Sequence, residues 1–300
     1  MGDDIRIGIV GLDTSHVEVF TGLLNDPENS NRVPGGQLVV GYPGGSADFG
    51  KSASRVDGYT DLLATKFGVE MVDSPEAVAE ASDAILLTSV DGRVHLDQFS
   101  RLARFRKPTF IDKPFAVTSG DAAGIAALAR EHGTPVMSAS GLRFAEALTA
   151  LLEECPDGIS GADFTGPMEI EPTQGAFFWY GVHLVEALYQ TLGTGCREVR
   201  VTTSDAHDVA VGLWKDGRIG TVRGFRNDQY YFRGVVHTGS GDVFLDLDTC
   251  EKPKHVHLLT KVMDFFRSGV SPIPLSETVE AIRFLEAADE SRVTGSRVRL

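Results

Sequence analysis

The stretch Ile5-Arg6-Ile7-Gly8-Ile9-Val10-Gly11 runs an apolar strand into a glycine, and Val17, Phe20, Leu23 and Leu24 then recur at helical spacing. Working outward, the alternation repeats. Gln37-Leu38-Val39-Val40 reads as a second strand, ended by Gly41 and Pro43. Residues 61–67 read as a helix and 69–72 as a short strand. Ser74 followed by Pro75 and Glu76 is a helix start, with Ser as cap and Pro at the first helical position. The apolar run 83–88 is a further strand, 96–105 a helix, 108–111 a strand, 119–132 a helix and 134–138 a last strand. Apolar strands alternating with helices require parallel pairing through right-handed crossovers. Residues 1–140 are therefore expected to form a doubly wound α/β domain.

Residues 141–300 have a different texture. Helices are expected at 143–154 and 181–192, the latter with Val182, Val185, Leu188 and Tyr189 on one face. Strand-like runs follow at 198–203, 208–214, 219–225, 230–236 and 243–247. Asp216-Gly217 and Ser240-Gly241 are hairpin signals between some of them. Helices at 257–267 and 277–291 close the chain. This is the pattern of an α+β domain on an antiparallel sheet. The glycine-rich stretch 35–50 reads as a loop.

A chain of 300 residues suits two domains of about 100–200 residues each. Its net charge of −14 repels phosphate backbones and anionic lipid, which argues against nucleic-acid and membrane partners. No apolar run approaches the ~18 residues needed to cross a bilayer. The opening MGDDIRIGIVG carries acids where a signal peptide carries bases, so a cytoplasmic protein is expected. Cys155, Cys196 and Cys250 are odd in number and widely spaced, as reduced thiols are. His16, His95 and His183 show no metal-ligand spacing, so no metal is expected. His255 and His257 read as solvent-facing.

Gly11-Leu12-Asp13-Thr14-Ser15-His16 stands where the dinucleotide fingerprint G-x-G-x-x-G places a pyrophosphate at a helix start. Only the first glycine is kept. Asp13 either caps the helix or brings a negative charge to the phosphates, in which case Asp13→Gly tightens cofactor binding. The helix start itself still favours anions, and Thr14 and Ser15 carry donors. The acid expected after the second strand to hold the ribose is absent from Val40 through Ser46, and the next carboxylate is Asp48. Its absence leans toward a 2′-phosphate, with Lys51 and Arg55 nearby in sequence, or toward no dinucleotide.

Phe110-Ile111-Asp112-Lys113-Pro114-Phe115 resembles the EKP motif of the Gfo/Idh/MocA oxidoreductase family, with Asp for Glu. Ser140-Gly141-Leu142-Arg143-Phe144 resembles the segment opening that family's second domain, and residues 175–186 resemble its histidine-bearing helix start. Residues 277–300 resemble its closing helix and short strand, so the likeness runs through essentially the whole chain. The resemblance implies a Rossmann domain followed by an α+β domain with an open, mostly antiparallel sheet. It implies hydride transfer between NAD or NADP, NADP slightly favoured, and a sugar, polyol or cyclitol-like substrate.

Carried over by position, the catalytic candidates are Lys113 and His183. Those for cofactor binding are Gly11, Thr14, Ser15, His16, Ser46, Thr88, Asp112 and Pro114. Those for substrate are Trp179, Tyr180, His95 and Arg143. The family's carboxylate four residues before the histidine is replaced by Trp179, while Glu186 matches the acid three residues after it. These departures keep an alternative open: a non-redox relative that binds a ligand, or eliminates or isomerises it, with a degenerate nucleotide turn. In the family the open sheet packs against another copy's sheet. Val199, Val201, Val209, Val211, Leu213, Val222 and Val235 offer apolar faces for a homodimer or homotetramer.

Overall fold

The computed structural model describes residues 4–155 and 158–300. Contacts divide the chain into two units. The first holds the residues up to Ala116, Gly120–Ala139 and His255–Leu275; the second holds Val117–Ser119, Ser140–Lys254 and Ser276–Leu300.

The first unit is built on six strands: β1 (Ile5–Val10), β2 (Gly36–Tyr42), β3 (Glu70–Met71), β4 (Ala84–Leu87), β5 (Thr109–Ile111) and β6 (Val136–Met137). Their order is β3-β2-β1-β4-β5-β6, and every pair is parallel. This is the doubly wound Rossmann order, whose switch point lies between β1 and β4, at the carboxyl ends of the strands. β1 and β4 are buried almost throughout, as strands covered on both faces must be. The glycine-rich stretch is not all loop, because β2 starts at Gly36 and only residues 43–49 connect onward.

The helix Lys254–Ser268 is the main difference from the sequence-based division, which assigned 141–300 to one domain. Most of it groups with the first unit. Met263 lies over Gly36, and Arg267 Nη2 donates to the Pro34 carbonyl at 2.7 Å. His255 and His257 are inside this helix and half-buried rather than solvent-facing.

The second unit carries seven strands: β7 (Ile159–Pro167), β8 (Cys196–Thr203), β9 (His207–Trp214), β10 (Ile219–Phe225), β11 (Arg233–Thr238), β12 (Gly241–Asp246) and β13 (Val298–Arg299). The order is β12-β11-β7-β10-β9-β8-β13. All pairs are antiparallel except β7 with β10, which is parallel. The Gly181–Leu192 helix packs on the sheet so closely that a Cβ on Gly220 would lie 2.6 Å from Leu188 Cδ1. Tyr189, Trp214 and Phe284 close the core, with ring centroids 5.7–6.4 Å apart.

The seven apolar residues named for assembly divide by strand alternation. Val199, Val201 and Val222 are buried against the helices and are not available to a partner. Val209, Val211, Leu213 and Val235 are on the opposite face, with Ile219 (52% exposed) and Phe244 (64%) beside them.

Candidate functional site

Gly11 ends β1 with φ +89°, and a Cβ there would lie 2.2 Å from Ser89 Oγ, so only glycine fits the turn. Thr88 Oγ1 donates to the Gly11 carbonyl at 2.7 Å. Asp13 does neither of the two things expected of it. It is 0% exposed, and the helix His16–Asn25 has Ser15 at its cap position without a side-chain capping bond. Asp13 Oδ1 accepts from the Val90 N–H at 2.8 Å and Oδ2 from Ser52 Oγ at 2.6 Å, while Ser52 Oγ accepts from the Ser46 N–H. One carboxylate thus ties together the loops after β1, β2 and β4. Burial raises its pKa above the ordinary aspartate value, and the Ser52 and Val90 donors only partly counter this.

His16 stands at the fingerprint's third-glycine place. Its Nδ1 is 2.5 Å from Asp112 Oδ2, and its ring stacks on Phe20 and meets the edge of His255, each at 5.0 Å. The other Asp112 oxygen accepts the Lys113 backbone N–H at 2.8 Å. Burial pushes the Asp112 carboxyl up, but His16 and Lys113 outweigh it and hold the pKa at about 2. Lys113 is half-buried at the end of β5. Burial pulls its pKa down; Asp112 opposes this and Arg55 adds to it. A lysine so placed is suited to holding a developing oxyanion, and gives up a proton more readily than a solvated lysine.

The loop after β2 lacks a ribose-binding acid. Asp48, the first carboxylate there, is held by Arg93 at 2.9 and 3.0 Å, and Arg93 also binds Asp91. Two features fit a nucleotide. The N–H groups of Thr14, Ser15 and His16 have no acceptor among the described residues, as at any open helix start. The buried Ser46 Oγ likewise has no partner among the described residues. With Asp13 turned inward, the donors of this turn are compatible with the pyrophosphate of a nicotinamide dinucleotide.

In the second unit, His183 lies in the first turn of the Gly181–Leu192 helix. Its Nδ1 shares a hydrogen bond with Ser140 Oγ at 2.7 Å. Ser140, which the sequence reading missed as a partner, orients the ring where the family pattern would use a carboxylate. The ring is flanked by Tyr180 and Phe232, both at 5.8 Å. Trp179 is buried and edge-on to Tyr180 at 6.2 Å.

Two substrate candidates are interior. Arg143 is 0% exposed; Nε donates to Glu186, and Nη1 donates to Glu277 at 2.6 Å and Gln190 at 3.2 Å. Burial lowers its pKa, but Glu186 and Glu277 more than offset this and raise it above the ordinary arginine value. It locks three segments of the second unit rather than lining an open surface. His95 is also 0% exposed, with Nε2 2.8 Å from the Ser89 carbonyl and Nδ1 3.2 Å from that of Phe115. It braces two loops of the first unit. Among the described residues no cluster of three metal-ligating side chains occurs. No helix there is long and apolar enough to cross a membrane, and the three cysteines are free.

Residues 38–140 match the sequence model of the oxidoreductase family with an NAD-binding Rossmann fold. The match begins after the altered turn. No curated protein matches the chain at a significant level. Solved structures with the same fold include myo-inositol 2-dehydrogenase from Lactobacillus plantarum, at 15% identity and TM-score 0.82, covering 99% of this chain and 100% of that one. Scyllo-inositol dehydrogenase from Lactobacillus casei, with bound NAD(H) and scyllo-inositol, has 12% identity and TM-score 0.82, covering 99% of each chain. GenD2 from gentamicin A biosynthesis, in complex with NAD, has 17% identity and TM-score 0.79, covering 100% of this chain and 97% of that one.

Proposed function

We propose that this chain, a divergent relative of the Gfo/Idh/MocA oxidoreductases by its matched segment and its whole fold, is an NAD(P)-dependent dehydrogenase or reductase. Its substrate is a sugar, polyol or cyclitol. The observation that carries the reading is Lys113: a half-buried lysine just past β5, its backbone N–H held by Asp112 and its pKa lowered by burial. The inositol dehydrogenases of the same fold support the substrate class.

Thr14, Ser15 and Ser46 would hold the cofactor's phosphates and ribose, and the missing acid after β2 makes NADP at least as good a ligand as NAD. A bound nicotinamide supplies the hydride acceptor or donor. Lys113 stabilises negative charge on the carbinol oxygen. Proton exchange with a substrate hydroxyl is assigned to His183, whose Nδ1 is engaged by Ser140. The outer sheet face bearing Val211, Leu213, Ile219 and Phe244 joins two copies into a homodimer or a larger homo-oligomer. Thermal shift with NAD, NADP and ADP-ribose tests the cofactor assignment. The expected outcome is a rise in Tm with NADP at least equal to that with NAD.

One observation favours a second reading. Asp13 puts a carboxylate where the fingerprint has its second glycine and closes three loops over it. Stabilisation by a polyol without stabilisation by either dinucleotide would select the non-redox alternative.

A further inference from the structure

Ser140 caps the short 3₁₀ turn Gly141–Phe144 in the second unit. Its side chain folds back so that Oγ accepts the Leu142 N–H at 3.1 Å, the local bond a serine commonly makes at a helix start. Its carbonyl accepts the Arg143 N–H at 3.1 Å, and Arg143 is itself locked to Glu186 and Glu277. Ser140 is 1% exposed. The fold thus sets the position of this hydroxyl and shuts it off from solvent.

A serine hydroxyl has one hydrogen to donate and two lone pairs to offer. The Leu142 N–H takes one lone pair. Among the described residues the one acceptor bonded to Oγ is His183 Nδ1, at 2.7 Å. The reverse bond, from Nδ1–H to Oγ, would use the second lone pair and leave a buried hydroxyl hydrogen with no acceptor, which is the costly arrangement. The bond therefore runs from Oγ–H to Nδ1. A carboxylate in the same place can only accept, and would fix the opposite tautomer, with the proton on Nδ1.

We propose that Ser140 is a positioning residue: by donating to His183 Nδ1 it holds the neutral ring with its proton on Nε2. This deepens the assignment of proton exchange to His183 and rests on it for its meaning in the reaction. The neutral ring is then a hydrogen-bond donor at Nε2, suited to a carbonyl or alkoxide oxygen. It takes a proton there from a hydroxyl only after its own proton has moved to Nδ1 and the bond to Ser140 has turned round. Ser140 makes the donor form of His183 the resting one, where a carboxylate would make the acceptor form the resting one.

Two-bond ¹H–¹⁵N spectra of the full chain with ¹⁵N-labelled histidine, without cofactor and at about pH 8.5, roughly two units above the ordinary imidazole value, read which ring nitrogen carries the proton. The signals lost in His183→Gln identify His183 among the eight histidines. The parent shows Nε2 protonated and Nδ1 bare, its resonance moved upfield by the donor. Ser140→Ala moves Nδ1 downfield, to the position of an unbonded nitrogen, and lets the Nδ1–H form appear. Ser140→Thr, which keeps the hydroxyl, restores the parent's signals. Nδ1 protonated in the parent, Nδ1 of the parent at the unbonded position, or His183 signals unchanged in folded Ser140→Ala each overturns the proposal. The first two results are read on the parent alone, whether or not the Ser140 variants fold. NAD and NADP are titrated in parallel by thermal shift. The expected tautomer without dinucleotide binding removes the oxidoreductase reading and keeps the assignment of Ser140; dinucleotide binding with the opposite tautomer removes the assignment of Ser140 alone.

Discussion

His16 Nδ1 lies 2.5 Å from Asp112 Oδ2, joining the turn after β1 to the end of β5. Two of the places at which this sequence departs from the motifs it resembles, a histidine for a glycine and an aspartate for a glutamate, are thus one interaction. The bond leaves Asp112's other oxygen for the Lys113 backbone. Asp112 is held at about 2 against an ordinary 3.8. A carboxyl whose folded pKa is depressed contributes stability that is complete above its unfolded value and is lost as pH falls through the folded one. A difference of this size corresponds to about 2 kcal/mol. Asp112→Asn is expected to lower stability at pH 7 by that order and to remove the corresponding loss between about pH 4 and pH 2. Urea melts across this range check it, and superimposable acid limbs for the two proteins would contradict it.

Asp13→Gly, expected from sequence to tighten cofactor binding, acquires the opposite character. The carboxylate is spent on Val90 and Ser52, so its loss leaves buried donors unpaired. We expect destabilisation of about 1–3 kcal/mol with cofactor affinity no better than in the parent. A double-mutant cycle of Asp13→Ala with Ser52→Ala should show coupling of about 0.5–3 kcal/mol. Strict additivity would mean the bond contributes nothing.

Cys196 is buried, and its thiol is pushed up to about 12 by that burial. The thiolate is the reactive form. In folded protein at pH 8, iodoacetamide should modify Cys155 and Cys250, both half-buried, well before Cys196. Mass spectrometry showing Cys196 labelled first would overturn this assignment.

The outer sheet face yields a prediction for assembly. Leu213 on β9 pairs with Ile219 on β10, and Phe244 on β12 with Val235 on β11, giving two apolar patches. Between them, Asp163 accepts from Thr221 Oγ1 and is 2.8 Å from His237 Nε2. Ile219→Glu and Phe244→Glu together should convert an oligomer into a monomer by light scattering at micromolar concentration, with little change in the circular dichroism spectrum. A parent protein that is already monomeric would remove the proposal.

The first unit was legible because parallel strands buried on both faces read as bare apolar runs, as in Ala84-Ile85-Leu86-Leu87. The second was less so. Its interior strand β7 is Ile-Ser-Gly-Ala-Asp-Phe-Thr-Gly-Pro, whose glycines, serine and aspartate mask any alternation. Hairpin signals cannot announce the parallel pairing of β7 with β10. At the site, residue types were readable but their directions were not. The sequence places Asp13 in a phosphate turn, and only Ser52 and Val90, distant in sequence, show that it points inward. Ser140 behind His183, and Tyr230 beside Tyr180, come from segments far apart in the chain. Arg143 looked available because its partners Glu186 and Glu277 lie 43 and 134 residues away.

The most direct measurement is nicotinamide absorbance with purified protein, NAD or NADP, and a panel of polyols, cyclitols, aldoses and amino sugars, the parent run beside Lys113→Met and His183→Ala. The expected result is reduction of the dinucleotide with at least one panel member, slowed about 10²-fold or more by Lys113→Met and by a similar factor by His183→Ala, the scale of a lost acid–base group. Turnover in Lys113→Met at the parent's rate would contradict the assignment at its central residue, and failure of the parent to bind either dinucleotide would contradict the oxidoreductase reading altogether.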